Sequence, residues 1–132
     1  MSEKFTVEII TPEKSILRSE AEEVTIPSYE GQMGILKDHI PLITFLRPGY
    51  INIKDRDEKK YFVEEGTVEF AENNLLILTS TVIDLKNFDK VHIKNLIQET
   101  EKKLQDSSST DKEKYILSYK INTLNEINQD RR

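Results

Sequence analysis

Residues 1 to 86 alternate apolar and polar side chains with a period of two, which is the spacing of half-buried β-strands. Turn-forming residues separate these segments, because every glycine and proline of the chain lies between Pro12 and Gly66. The run Leu75–Leu78 is apolar throughout and predicts a central strand covered on both faces. Short strands at close spacing predict a β-sandwich or a barrel. The alternating apolar positions are Phe5, Val7, Ile9, Val24, Ile26, Ile51, Ile53, Tyr61, Val63, Val68 and Phe70.

Prolines, glycines and short polar stretches predict where these strands end. One segment, Ser28–His39, stands out because Gly31 and Gly34 bracket Met33. We expect a loop there that exposes Met33 and Glu30, and an exposed methionine is adaptable enough to suit protein recognition. The predicted breaks fall at Thr11–Glu13, Pro27-Ser28, Gly31, Gly34, Pro48-Gly49, Asp55–Glu58, Glu65-Gly66 and Asn73-Asn74.

From residue 87 onward the apolar spacing changes to three and four residues, which predicts two helices of about 15 to 18 residues. The polar tract Ser107–Asp111 separates them. Thr110 and Glu113 fit a capping box, in which the hydroxyl and the carboxylate each bind a free backbone N–H. The short turn predicts an antiparallel hairpin. The apolar stripes are Ile93, Leu96, Ile97, Thr100 and Leu104, then Leu117, Ile121, Leu124 and Ile127 or Asn128.

Composition and charge exclude several classes of protein. Of the 132 residues, 36% are hydrophobic and 33% are charged, and the net charge of −5 argues against nucleic-acid binding. Without cysteine, the chain can form no disulfide, thiolate metal site or cysteine nucleophile. His39 and His92 are too far apart along the chain to predict a metal site. The sequence shows neither a long apolar run nor the layout of a signal peptide.

Motifs of enzymes are missing from the sequence as well. We find no GxSxG, phosphate loop, dinucleotide fingerprint or HExxH. His39 follows Asp38, but adjacency in sequence does not place a carboxylate against the imidazole. We therefore keep three readings of His39: a catalytic base, a structural loop residue or an interface contact. Acidic pairs such as Glu64-Glu65 point to opposite faces of a strand and are read as solvated rims. The residues alone favour a binding module over a small hydrolase.

The stretch Val24–Ile53 reads VTIPSYEGQMGILKDHIPLITFLRPGYINI. It resembles the epsilon subunit of bacterial ATP synthases, which corresponds to the delta subunit of the mitochondrial enzyme. The family pattern has a strand ending near a proline, an E-G-x-x-G-I-L loop, a short turn ending in His, x-P-L and a strand ending in L-x-P-G. The similarity covers residues 5–85. The matching residues are Glu30, Gly31, Gly34, Ile35, Leu36, His39, Pro41, Leu42, Leu46, Pro48 and Gly49.

This resemblance implies an α+β fold that is mainly β. A ten-stranded β-sandwich is expected over residues 1–86, followed by an antiparallel two-helix hairpin over residues 87–132. The family pattern has Pro-Gly where Lys37-Asp38 precedes the histidine, and a glycine pair where Glu65-Gly66 stands. We expect both departures to be harmless variants of turns.

The resemblance also implies a non-catalytic central-stalk (rotor) subunit of a proton-translocating ATP synthase, with no cofactor of its own. Its partners would be the gamma subunit, the membrane ring of c subunits (the c-ring) and the alpha/beta catalytic head. It would couple ring rotation to ATP synthesis and restrain ATP hydrolysis through its helices. We expect it on the cytoplasmic face of the bacterial inner membrane, or on the matrix face if it is mitochondrial. The alternative is a free-standing β-sandwich adaptor that recruits a protein through its hairpin.

Two sets of contact residues follow from the resemblance by position. The family's c-ring contact falls on the loop after Tyr29, with His39 expected beside that loop. The expected c-ring contacts are Glu30, Gly31, Gln32, Met33 and His39. Basic residues of the family's hairpin meet an acidic stretch of the beta subunit, and ordinary solvated helix charge is the alternative reading. The expected beta-subunit contacts are Lys112, Lys114, Lys120, Arg131 and Arg132.

A motif for binding ATP is degenerate in this chain. Some bacterial members of the family bind ATP through L-D-x-x-R-A at the start of the first helix, and the aligned stretch here is FDKVHI. Asp89 is retained, but His92 occupies the arginine position and Ile93 the alanine position. An imidazole cannot replace a guanidinium that forks onto phosphates. We therefore expect no ATP binding and only weak restraint of hydrolysis.

Overall fold

The period-two segments of the chain form β-strands, and the segments with helical spacing form α-helices. The computed structural model describes residues 3–106 and 108–129. The chain divides into two compact units, Met1–Lys86 and Asn87–Arg132. The strands within the described residues are β1 (Phe5–Ile10), β2 (Ser15–Ala21), β3 (Glu23–Ser28), β4 (Gly31–Leu36), β5 (Leu42–Leu46), β6 (Gly49–Lys54), β7 (Glu58–Val63), β8 (Gly66–Ala71), β9 (Asn74–Thr79) and β10 (Val82–Asp84). The helices are α1 (Lys90–Gln105) and α2 (Asp111–Gln129).

The ten strands pair into one continuous sheet that folds over a single core. Their order is β10-β7-β6-β3-β5-β8-β9-β1-β2, and β4 pairs with β3 beside this path. β1 and β9 are parallel, whereas the other paired strands are antiparallel. Strands from both halves of the order contribute to one cluster of buried apolar side chains, so the two halves face each other as layers. The predicted mainly β fold, a ten-stranded sandwich followed by two helices, is confirmed.

Core side chains come from the alternating apolar positions. Each alternating position predicted from Phe5 to Phe70 is less than a tenth exposed. The apolar run in β9 differs, because Leu78 remains 43% exposed and Leu76 is only half-buried. The prediction that β9 is covered on both faces is therefore wrong, since a strand in a sandwich turns only one face to the core.

Pro27 lies inside β3, although the sequence predicted a break there. β3 pairs with β6 as far as Thr25 and with β5 at Ser28. The proline therefore falls between two ladders on that side of the strand, where its missing N–H leaves no gap. The consequence is that β3 stays extended as far as the turn that follows it.

Side chains cap the beginnings of both helices. At α2 the predicted capping box is confirmed: the Thr110 N–H donates to Glu113 Oε1 at 2.8 Å, and the Glu113 N–H donates to Thr110 Oγ1 at 3.1 Å. At α1 the Asp89 carboxylate accepts from the Val91 N–H at 2.9 Å. These bonds satisfy backbone donors that have no partner within the helix.

The connection between the helices is held by another aspartate. Asp106 Oδ1 accepts hydrogen bonds from the Ser108 backbone N–H at 3.0 Å and the Ser108 hydroxyl at 2.9 Å. Both bonds favour the charged carboxylate, and they hold the pKa of Asp106 below its ordinary value of 3.8. The short connection folds the two helices back against each other as the predicted antiparallel hairpin.

Buried positions of the hairpin mix apolar and polar residues. They are Ile93, Thr100, Lys120, Thr123, Leu124 and Ile127. The remaining apolar positions of the predicted stripes, such as Leu117 and Ile121, are half-buried. Neither described helix has a stretch apolar and long enough to cross a membrane.

Candidate functional site

Asp38 and His39 do not form a catalytic pair. The Asp38 carboxylate accepts from the Asn73 side chain at 2.9 Å, and His39 Nδ1 lies 2.7 Å from the Ile40 carbonyl oxygen. The imidazole also packs edge-on against the Phe70 ring, with centroids 5.9 Å apart. These contacts support the interpretation of His39 as a structural loop residue. In residues 3–106 and 108–129, no group of acidic and histidine side chains could hold a metal ion.

The turn between β3 and β4 displays a carboxylate at one end of the sandwich. It contains only Tyr29 and Glu30, because Ser28 already pairs with Gly31. The Ser28 hydroxyl donates to the Gly31 carbonyl at 2.8 Å and accepts from the Glu30 N–H at 3.3 Å. Gly31 has a φ of 121°, a backbone conformation that is unfavourable for residues with a side chain. Glu30 is thus exposed on a tight, internally bonded turn.

The strand after this turn was predicted to be a loop, and this prediction is wrong. Gly31 and Gly34 belong to β4, because the turn takes only two residues. Met33 pairs with the buried Ile26, so its side chain turns inward and packs against the core. The expected exposed Met33 is therefore half-buried, whereas its neighbour Gln32 is exposed.

The structure does not place His39 beside Glu30. Glu30 precedes β4, whereas His39 lies in the turn after it, where its N–H donates to the Leu36 carbonyl at 3.1 Å. Six extended residues span about 20 Å. The residues expected to form one c-ring contact thus lie along a whole strand, with Glu30 at one end of the sandwich and His39 at the other.

A second candidate surface is the outer face of β5, β8 and β9, which we call the outer apolar face and define by Ile43, Phe45, Leu76 and Leu78. Ile43 is 74% exposed and Phe45 57% exposed. The pairing places Phe45 and Leu78 opposite Thr67, and it places Ile43 and Leu76 opposite Glu69. These side chains therefore share one surface. This surface was not predicted from the sequence, although the apolar residues of β5 (LITFL), interrupted only by Thr44, were its signal.

A third feature adjoins the start of β5. The residues Leu36–Ile40, here called the clasp turn, connect β4 towards β5. Leu36 is 56% exposed and Ile40 is 74% exposed. The Asp38 N–H donates to Asn73 Oδ1 at 2.7 Å, and Asn73 Nδ2 donates to Asp38 Oδ1 at 2.9 Å. These reciprocal bonds join the clasp turn to the turn between β8 and β9.

The basic residues predicted on the hairpin have different environments. Lys112 is exposed, Lys114 is half-buried and Lys120 is only 8% exposed. Lys120 shares a helical face with buried Thr123, Leu124 and Ile127, because residues three, four and seven apart lie on one side of a helix. Lys120 is therefore far less exposed than the sequence suggested, and its contact with the beta subunit stays a prediction. Arg131 and Arg132 lie outside the described residues.

The degenerate ATP motif has structural roles at the beginning of α1. Asp89 is the N-cap, His92 is exposed and Ile93 is fully buried. A bulky isoleucine is thus part of the hairpin's buried stripe where the family motif has alanine. The absence of ATP binding stays a prediction.

Comparison with known proteins identifies the family. Residues 4–84 match the model of the ATP synthase delta/epsilon chain β-sandwich domain. The epsilon chain of Pelagibacter ubique is 47% identical over 97% of this chain and 100% of its own length. That of Hydrogenobaculum sp. is 31% identical over 80% of this chain and 77% of its own length.

A solved structure has the same fold at much lower sequence identity. A chain in the cryo-EM structure of Euglena gracilis mitochondrial ATP synthase aligns with a TM-score of 0.71 at 18% identity, over 95% of this chain and 79% of its own. The sequence-based resemblance is confirmed. Because its relatives are named ATP synthase epsilon chains, this chain is a non-catalytic subunit. The chain belongs to the ATP synthase delta/epsilon chain family.

Proposed function

We propose that this chain is a central-stalk subunit of a proton-translocating ATP synthase, which couples rotation of the c-ring to ATP synthesis through the gamma subunit. The near full-length likeness to the Pelagibacter ubique epsilon chain carries this proposal. As a peripheral subunit it would lie on the cytoplasmic face of the bacterial inner membrane. Nothing in the comparisons favours the alternative of a free-standing adaptor. A close-packed sandwich supports the role, because it transmits torque without deforming.

The turn at Glu30 is our proposed contact with the c-ring. Its exposed carboxylate suits a basic group on the polar loops of the ring, and the Ser28 hydrogen bonds fix the turn. Gly31 and Gln32 adjoin it, whereas Met33 supports the strand from the core side. His39 lies at the opposite end of β4, so a ring surface that meets Glu30 is out of its reach.

The outer apolar face and the clasp turn are our proposed contact with the gamma subunit. Ile43 and Phe45 are more than half exposed on a paired strand, and Ile40 adds a further exposed apolar side chain. Burying such side chains against a partner is favourable, because it removes apolar surface from water. We assign His39 to this surface, where the Phe70 ring and the Ile40 carbonyl hold its imidazole.

The hairpin is our proposed contact with the alpha/beta catalytic head, with weak restraint of ATP hydrolysis. Lys112 is exposed on α2 and can meet an acidic stretch of the beta subunit. Lys114 is half-buried and Lys120 is buried, which leaves less positive charge on the surface than the sequence suggested. Strong slowing of ATP hydrolysis when the full chain is added to the cognate ATPase core would contradict this assignment.

Reconstitution of coupled proton pumping tests the proposal. Membranes carrying the cognate ATP synthase would be stripped of this subunit and supplied with the full chain. We expect the wild-type chain to co-elute with the ATPase core and to restore ATP-driven pumping. The Glu30→Lys variant should bind the core but restore less pumping per ATP hydrolysed.

Glu58→Lys is the matched control, because it makes the same charge change at an exposed residue of β7, two strands away from β3 and outside the proposed contacts. Pumping with this control should equal that of the wild-type chain. Failure of the wild-type chain to bind the core would overturn the rotor assignment. Equal pumping with Glu30→Lys and wild type would overturn only the c-ring contact.

A further inference from the structure

Left-handed backbone conformations are concentrated in two neighbouring turns. In the described part of the chain, the residues other than glycine with positive φ are Asp38 at 67°, Glu72 at 51° and Asn73 at 61°. Such conformations are uncommon for residues with a side chain. At Glu72 and Asn73 they form the tight turn of the β8–β9 hairpin, in which positive φ is favoured, and Asp38 adopts the same conformation in the turn that Asn73 contacts. Asp38 and Asn73 contact each other directly, and Glu72 precedes Asn73 in the same turn.

The hydrogen bonds of Asn73 make it the centre of this contact. Its Oδ1 accepts from the Asp38 N–H at 2.7 Å, and its Nδ2 donates to Asp38 Oδ1 at 2.9 Å. Its backbone carbonyl accepts from the Thr6 N–H at 3.0 Å. One asparagine therefore ties the clasp turn, 35 residues away in sequence, to a turn that β1 already fixes.

The contact between Asp38 and Asn73 is exposed to solvent. A hydrogen bond in water adds little to folding stability, because water competes for both partners. Glycine, which the family pattern has at the position of Asp38, would adopt this φ without strain but has no side chain to accept the bond. Asp38 thus orders the turn, although it contributes little to the stability of the fold.

The ordered segment is the one that presents exposed apolar side chains. Ile40 lies between β4 and β5, outside any strand, and is 74% exposed. Asp38 precedes Ile40 by two residues, and His39 between them packs against the Phe70 ring. An exposed isoleucine on a fixed turn is prepared for contact, because less conformational entropy is lost when a partner binds.

We infer that Asp38 and Asn73 form a positioning pair that fixes His39 and Ile40 for docking of the gamma subunit. This inference rests on the proposed function, in which the clasp turn faces gamma. The pair acts by keeping the turn in its binding conformation in the free protein. When only a fraction of molecules has that conformation, the apparent affinity falls by the same fraction.

Two variants of the full chain separate positioning from folding. Asn73→Gly removes both side-chain bonds, while glycine still favours the left-handed conformation of its turn. The double variant Asp38→Asn/Asn73→Asp exchanges the partners. An asparagine amide can then donate to an aspartate oxygen, the net charge is unchanged, and both residue types tolerate positive φ. The double variant should therefore restore what the single variant loses.

The test measures affinity for the cognate ATPase core lacking this subunit, together with hydrogen exchange of the free chain. For Asn73→Gly we expect binding weaker by about three- to tenfold and faster exchange of the amides of residues 37–40. Exchange of amides in the core strands should not change. The double variant should bind within about twofold of wild type.

Three outcomes would overturn the inference. They are wild-type affinity for Asn73→Gly, a double variant that binds as weakly as Asn73→Gly, and faster exchange throughout the core strands. The Ile40→Ser variant distinguishes failure of this inference from failure of the proposed function. If Ile40→Ser binds as wild type does, the clasp turn does not face gamma, and both statements fall. If Ile40→Ser binds weakly but Asn73→Gly binds normally, the contact stands and only the positioning role fails.

Discussion

The sandwich and the hairpin are stabilised in different ways. In the sandwich, alternate residues of most strands meet in one core of almost completely buried apolar side chains. In the hairpin, the buried positions include Thr100, Lys120 and Thr123 beside Ile93, Leu124 and Ile127. The sandwich is thus specified by many distant contacts, whereas the hairpin depends more on bonds between residues close in sequence.

The buried threonines of the hairpin illustrate this local dependence. The Thr100 hydroxyl donates to the Leu96 carbonyl at 2.7 Å, and the Thr123 hydroxyl donates to the Tyr119 carbonyl at 3.0 Å. Each hydroxyl is therefore satisfied within its own helix, one turn back. A threonine buried in this way keeps its hydroxyl hydrogen-bonded, but it contributes less apolar burial than a leucine would.

The largest expected effect lies in the sandwich, at Gly66. A Cβ at this position would overlap the carbonyl oxygen of Leu78 on the paired strand β9, and backbone atoms cannot easily move aside. We expect Gly66→Ala to lower the free energy of unfolding by about 3 kcal/mol or more. Urea denaturation followed by circular dichroism would measure it.

Gly34→Ala is the control for this substitution. Its Cβ would meet only Glu23 Oε2, at 3.6 Å, which is ordinary contact. We expect it to be neutral or to stabilise by about 0.5 kcal/mol, because alanine restricts the unfolded chain. Equal stability of both variants would show that β8 and β9 are less tightly packed than the structure indicates.

A smaller effect is expected at the cap of α2. Thr110→Ala removes the hydroxyl that accepts from the Glu113 N–H. The loss should cost about 1 kcal/mol. Amide exchange in the first turn of α2 should become faster, while the amides of the sandwich core keep their protection. Thr110→Ser retains the hydroxyl and should resemble wild type. A change spread over the sandwich strands would contradict the view that the hairpin depends on local bonds.

The smallest expected effect is a titration in the hairpin turn. Because hydrogen bonds from Ser108 lower the pKa of Asp106 below 3.8, the folded turn binds this proton less readily than the unfolded chain. The stabilisation is complete above the unfolded pKa and is lost as the pH falls through the folded one. The Ser108 amide signal in NMR should therefore titrate with a midpoint below 3.8. Asp106→Asn should abolish this step, and a midpoint above 3.8 would contradict the assigned bonds.

Features with a short sequence period could be predicted well. The alternating positions from Phe5 to Phe70 are all buried, and the capping box of Thr110 and Glu113 has both of its bonds. These features are set by spacing along one strand or one helical turn. The Glu30–Gly31 motif likewise identified a real turn, because the glycine after the turn takes a positive φ that residues with a side chain rarely adopt.

Features that depend on strand register or on packing between elements could not be predicted. Met33 turns inward because its register places it opposite Ile26, and a shift of one residue would have exposed it. His39 is separated from Glu30 because β4 is a full strand. Its two glycines had led to the prediction of a loop there. Lys120 was predicted to be exposed because it is charged, but its position on the buried face of α2 determines its burial.

The parallel pairing of β1 with β9 has a consequence for synthesis of the chain. Thr6 pairs with Asn74 and Ile10 with Leu78, so the first strand waits for a partner made 68 residues later. At typical translation rates that interval is roughly 3 to 14 s. Until then β1 can pair only with β2, and its apolar residues Val7 and Ile9 have no completed core to enter. A nascent chain of this protein therefore carries an unfinished sheet edge through most of its translation, which is the interval in which a chaperone would protect it from aggregation.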